Sequence, residues 1–177
     1  MATPPDFTAG QVLTAAQMNA IGLWLVKTQT IGSAVSTVAV TSAFSSDYDN
    51  YLITINGGAM SSATDITLQL GATTTNYYSG LLYANWADTP LAAAASAQSN
   101  FGRAGSGTTT SLMMFCHVTS PFLSENTQMF STIASSTFAG FGMGFLDNTT
   151  SYTDFTIGQS GAATMTGGTI RVYGYNN

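Results

Sequence analysis

Positive charge is scarce in this chain. Three Lys or Arg and one His stand among 177 residues, against eight Asp or Glu. Charged residues make up 6% of the sequence, where a soluble domain ordinarily carries about 25%. The net charge of −5 leaves no clustered cations to neutralise phosphates, which excludes a nucleic-acid binder. It equally excludes electrostatic docking on an anionic membrane. Cysteine occurs once, at Cys116, so an internal disulfide and a cysteine-based zinc cluster are excluded. The longest strongly apolar run, Ile21 to Val26, is far too short for a membrane-spanning helix, and no membrane insertion is expected. The opening Met-Ala-Thr-Pro-Pro-Asp lacks the positive region of a secretory signal, which predicts a protein made in a cytoplasm and not exported by the general route.

In place of charge there are hydroxyls: 28 Thr and 19 Ser. Such a composition can accompany disorder, but 45% apolar and 11% aromatic residues are enough to build a core.

Residues 1–32 read as a unit distinct from 33–177. Thr14 and Gln17 have capping-box spacing, with Leu13 and Met18 placed as a hydrophobic staple. The pattern predicts a helix from about Ala15 to Val26. Its apolar residues, among them Met18, Ile21, Trp24 and Leu25, go nearly all round, so it calls for burial against another subunit or another protein.

Residues 33–177 read as about nine strands separated by polar turns. Ile66, Leu68 and Leu70 alternate with Asp65, Thr67 and Gln69, placing the first set inward and the second outward. Leu112 to Val118 is apolar on both faces, as a central or interface strand would be. Phe138 to Leu146 and Thr169 to Tyr175 are further strands. Pro90 to Thr110 reads as a long connection with one or two helical turns in its alanine run, and Arg103 within it as an exposed contact. Short strands at near-regular spacing predict an all-β antiparallel sandwich or barrel.

Catalysis finds little to work with, and no enzyme is expected. Cys116 and His117 are neighbours on a strand, so their side chains point to opposite faces and cannot form a nucleophile–base pair. Asp47 and Asp49 can share a face and hold a hard cation, but they better suit a polar turn before the strand at Tyr51, and no metal site is assigned. Gly140-Phe-Gly-Met-Gly144 matches neither dinucleotide nor P-loop spacing, and no cofactor is expected. Tyr77, Tyr78, Tyr83 and Trp86, with Asn76, Asn85 and Asp88 nearby, have the residue types that stack on and hydrogen-bond to sugar rings. The same residues suit a sandwich core or a subunit contact. Arg171, on a strand of high β propensity, is placed to pair with a carboxylate.

The segment Phe7-Thr-Ala-Gly-Gln-Val-Leu-Thr-Ala-Ala-Gln-Met-Asn19 resembles the opening of small virion proteins of tailed bacteriophages. Tyr48 to Ile55 and Thr169 to Tyr175 resemble the first and last strands of that group's β-sandwich. The resemblance covers both ends and one inner strand. It implies a jelly-roll type sandwich preceded by an extended arm and a short helix, a homotrimer, and a place in the virion as a head-decoration (cement), fibre or tail component. It assigns an attachment role to the segment carrying Phe7, Val12, Leu13 and Met18. Other virion proteins of capsid or tail are then the expected partners, with host-surface glycan as an alternative ligand.

Overall fold

The computed structural model describes Gly10, Val12, residues 22–135 and residues 137–175. Among these the chain is all-β and antiparallel. Fourteen strands follow in order: β1 (Trp24–Thr30), β2 (Val38–Val40), β3 (Asn50–Asn56), β4 (Ala59–Met60), β5 (Thr64–Leu70), β6 (Tyr77–Asn85), β7 (Pro90–Gln98), β8 (Phe101–Gly107), β9 (Leu112–Thr119), β10 (Thr127–Ala134), β11 (Phe138–Leu146), β12 (Phe155–Gln159), β13 (Met165–Thr166) and β14 (Thr169–Tyr175).

One path of strand pairing runs through both layers of a sandwich and folds over at the β8–β9 hairpin. The smaller layer is β2-β12-β5-β8. The larger is β1-β14-β3-β9-β10-β11-β6-β7. β8 packs across β10, β11 and β6 without pairing with them, which is how one layer lies on the other.

The core lies between the layers. Ile66, Leu68 and Leu70 of β5 are fully buried, as their alternation predicts. They meet Ile53 and Ile55 of β3, Cys116 and Val118 of β9, and Ile170 and Val172 of β14. The Tyr77 hydroxyl is fixed at the centre, donating to the Leu70 carbonyl oxygen (3.4 Å) and accepting from the Leu70 amide (2.8 Å). Phe44 stacks on Phe155 and meets Tyr51 edge-on.

Two expectations fail, each for a physical reason. The helix predicted over residues 15–26 does not reach Val26. Its part before Gly22 lies outside the described residues, but Gly22 has φ +107°, which an α-helix cannot contain. Trp24, Leu25 and Val26 then open β1, which pairs with β14 over Thr169–Gly174. Residues 24–30, read from sequence as part of the arm, therefore belong to the sheet. The alanine-rich stretch is not a connection with helical turns but two strands, β7 and β8. Alanine has no strong strand preference of its own, and pairing with β6 overrides local propensity.

Candidate functional site

The larger sheet turns one face to the core and one outward, and the outward face is the unusual one. Side chains in register across β9, β10, β11 and β6 form rows. One row runs His117, Phe130, Met143, Gly80. The next runs Phe115, Thr132, Phe141, Leu82, and a third runs Thr119, Gln128, Phe145, Tyr78. Together with Met113, the large apolar members of these rows are between 38% (Met143) and 65% (Phe141) exposed. With about half of each side chain open, the patch is on the order of 700 Å², above the largest patch usual on a monomer. These four strands contain no Asp, Glu, Lys or Arg. Covering the face would therefore bury no charge.

β11 shows why the face is built this way. Its sequence Gly140-Phe-Gly-Met-Gly-Phe145 inverts the usual pattern: glycines point inward and large apolar residues outward. A Cβ on Gly144 would fall on the Phe101 ring, and one on Gly142 on the Arg103 carbonyl oxygen and Ser131 Oγ. The missing side chains are what let β8 lie close on β11. The bulk that would normally fill the core stands outside.

The surface is not flat. A depression of about 560 Å³ lies beside Met113, Phe115 and Phe141, and one of about 570 Å³ beside Tyr78, Met143 and Phe145. Met143 and Gly80, of the row containing Phe130, line the second.

The residues singled out from sequence fall as follows. Phe7, Leu13, Met18 and Ile21 lie outside the described residues. Val12 is 85% exposed. Leu25 is exposed and Trp24 half-buried, both on β1. The four candidate sugar-stacking aromatics do not share a surface. Tyr77 is fully buried and Tyr78 points to the outer face. Tyr83 packs edge-on against Phe138 with ring centroids 5.1 Å apart. Trp86 is exposed at the β6–β7 turn and donates its indole N–H to the Ser135 carbonyl oxygen (3.2 Å).

Cys116 and His117 do point to opposite faces. Cys116 is buried, and desolvation pushes its thiol well above the usual range. His117 is half-buried on the outer face, its Nδ1 3.0 Å from the Tyr175 hydroxyl oxygen. Asp47 sits in a turn, accepting a hydrogen bond from the Ser45 hydroxyl (3.1 Å). Among the described residues there is no group of three or more His, Cys, Asp or Glu side chains placed to hold a metal ion.

Arg103 is not an exposed contact. It pairs with Asp65, and this is the ion pair found among the described residues. The pair lines a polar cleft of about 490 Å³ beneath β7, with Thr67, Ser79 and Asn100. Burial raises the Asp65 pKa more than the Arg103 guanidinium lowers it. A carboxyl whose folded pKa is raised binds more protons folded than unfolded, so its contribution to stability falls as pH rises through that pKa. Wild type is therefore expected to lose stability relative to Asp65→Asn as pH rises from about 3 to about 7. Thermal melts of both proteins across that range check the sign; a difference that stays constant or runs the other way contradicts it.

The outer face itself was not read from sequence, although Leu112 to Val118 suggested a two-faced strand. The signal that could have found it is the Phe141-Gly-Met-Gly-Phe145 alternation, large residues at every second place with nothing between them to fill a core.

No family model and no curated protein matches the chain. Among solved structures, a subviral particle of infectious bursal disease virus VP2 aligns at TM-score 0.17 with 9% identity, covering 84% of this chain and 41% of that one. T=1 particles derived from that virus align at TM-score 0.16 and 9% identity over 85% of this chain and 40% of theirs. The structure of the Gx strain gives TM-score 0.16 and 9% identity over 85% and 42%. The chain thus spans about two fifths of the chains it aligns with, and likeness at these TM-scores carries no argument for what it does.

Proposed function

We propose that the chain is a structural virion protein of a tailed bacteriophage, a homotrimeric head-decoration or short-fibre subunit held to the particle by its N-terminal segment. The observation that carries an assembled role is the uncharged outer face of the larger sheet. A chain with so little charge, displaying Phe115, Phe130, Phe141 and Phe145 on one surface, is suited to permanent association. The resemblance of Phe7 to Asn19 to phage virion proteins supplies the kind of assembly and the trimer.

The test is the solution mass of the full-length protein by size-exclusion chromatography with light scattering, paired with particle incorporation. A mass of three 18.4-kDa chains, or a multiple of three, is expected. Deleting residues 1–21, which leaves β1 intact, is expected to abolish incorporation into particles and to preserve the oligomer. A full-length monomer that never joins a particle overturns the proposal.

A further inference from the structure

β7 is an edge strand of the larger sheet among the described residues. It pairs with β6 on one side, and in the described residues no strand pairs with the other. Eight of its nine residues are exposed, and none belongs to the core. Its inner side looks into the polar cleft rather than onto packed side chains. Ordering nine residues costs conformational entropy, and one-sided pairing without side-chain burial offsets little of it.

Natural sheets blunt their edges with charge, bulges or brevity. The other edges here follow that rule. β1 carries Lys27 at a register shift between Leu25 and Lys27, and β2 is three residues long. β7 is long and free of charge, and it is blunted only at its ends, by Pro90 and by the irregular backbone at Ala97, whose φ is +52°. Its register with β6 is regular from Pro90 to Ala95 and shifts only toward Gln98.

We infer that the free edge of β7 pairs antiparallel with β7 of a second copy, extending the larger sheet across a two-fold axis. The sequence fits itself. An axis through Ala94 sets Ala93 opposite Ala95 and Ala92 opposite Ser96, small uncharged residues that meet without repulsion or clash. Such an isologous contact needs one strand to be compatible with its own copy, and the central Ala92-Ala-Ala-Ala-Ser96 is. This contact is distinct from the apolar face and can join two face-mediated oligomers.

The experiment uses charge at two positions turned away from the apolar face. Ala93→Lys/Ala95→Lys places lysine opposite lysine across the axis, and Ala93→Glu/Ala95→Glu does the same with carboxylates. Each variant, checked for wild-type melting, is expected to have half the wild-type solution mass. Mixing the two in equal amounts is expected to restore it, which a merely misfolded variant could not do. An unchanged mass in either variant, or a mixture that stays at half mass, overturns the inference. As a second measurement, β7 amides of the wild type are expected to exchange hydrogen more slowly as protein concentration rises; concentration-independent exchange overturns it. A Phe130→Ser/Phe141→Ser variant separates this contact from the face. If the face reading alone fails, that variant keeps its mass while the β7 variants still halve theirs.

Discussion

Replacing Phe130 and Phe141 together by serine is expected to break the face-mediated oligomer while leaving the fold intact. The two rings are 49% and 65% exposed in the isolated chain, so the monomer loses little when they go. Each has on the order of 100 Å² left to bury, which at about 25 cal/mol per Å² is roughly 2.5 kcal/mol per ring. Loss of both weakens each subunit contact by about 5 kcal/mol, more than a thousandfold in dissociation constant. Light scattering over a dilution series reads the effect, and near-ultraviolet circular dichroism checks that packing survives. An oligomer that dissociates at the wild-type concentration would show that the contact lies elsewhere.

The second large effect lies on the inner side of β11, behind Phe141. Gly142→Val and Gly144→Val introduce a residue that favours strands, so propensity alone predicts a gain. The structure predicts the reverse. At Gly142 the new Cβ falls on the backbone oxygen of Arg103, and at Gly144 on the ring of Phe101. The backbone oxygen cannot move aside without separating β8 from β11. Overpacking of this kind costs about 3 kcal/mol or more, which in a chain of this length lowers the melting temperature by roughly 10 °C. Gly102→Ala is the control. No atom lies within 4 Å of its Cβ position, and the change should stay within about 0.5 kcal/mol of wild type. Equal melting of Gly142→Val and Gly102→Ala would mean that the layers are not held at the spacing described.

The two β11 results bear on how much of the fold the sequence discloses. Phe138 to Leu146 reads as a strand from composition, and it is one. The side each residue faces is not readable locally, because a strand with glycine inside and phenylalanine outside has the same period as the ordinary kind. The β5 alternation was legible because its inward residues are the large ones. β7 escaped because four consecutive alanines state no preference, and the partner that decides for them is β6, in register from Ala84↔Pro90 onward. The apparent cluster Tyr77, Tyr78, Tyr83 and Trp86 dissolved for the complementary reason. Proximity in sequence on a strand separates side chains by face as often as it gathers them. Trp24 to Val26 looked helical because the apolar run has no polar interruptions. Its real partner, β14, lies about 145 residues further along the chain.

That last pairing has a consequence for synthesis. β14 sits between β1 and β3, so both early strands must wait until Thr169–Tyr175 has been synthesised before their shared neighbour exists. At ordinary ribosomal rates the wait for β1 is on the order of ten seconds. Until then the apolar β3 has at least one open flank, and both flanks are open before β9 is made. Assembly of this protein therefore begins as a problem of timing, in which a strand made after all its neighbours in the sheet, β14, is the one that joins β1 to β3.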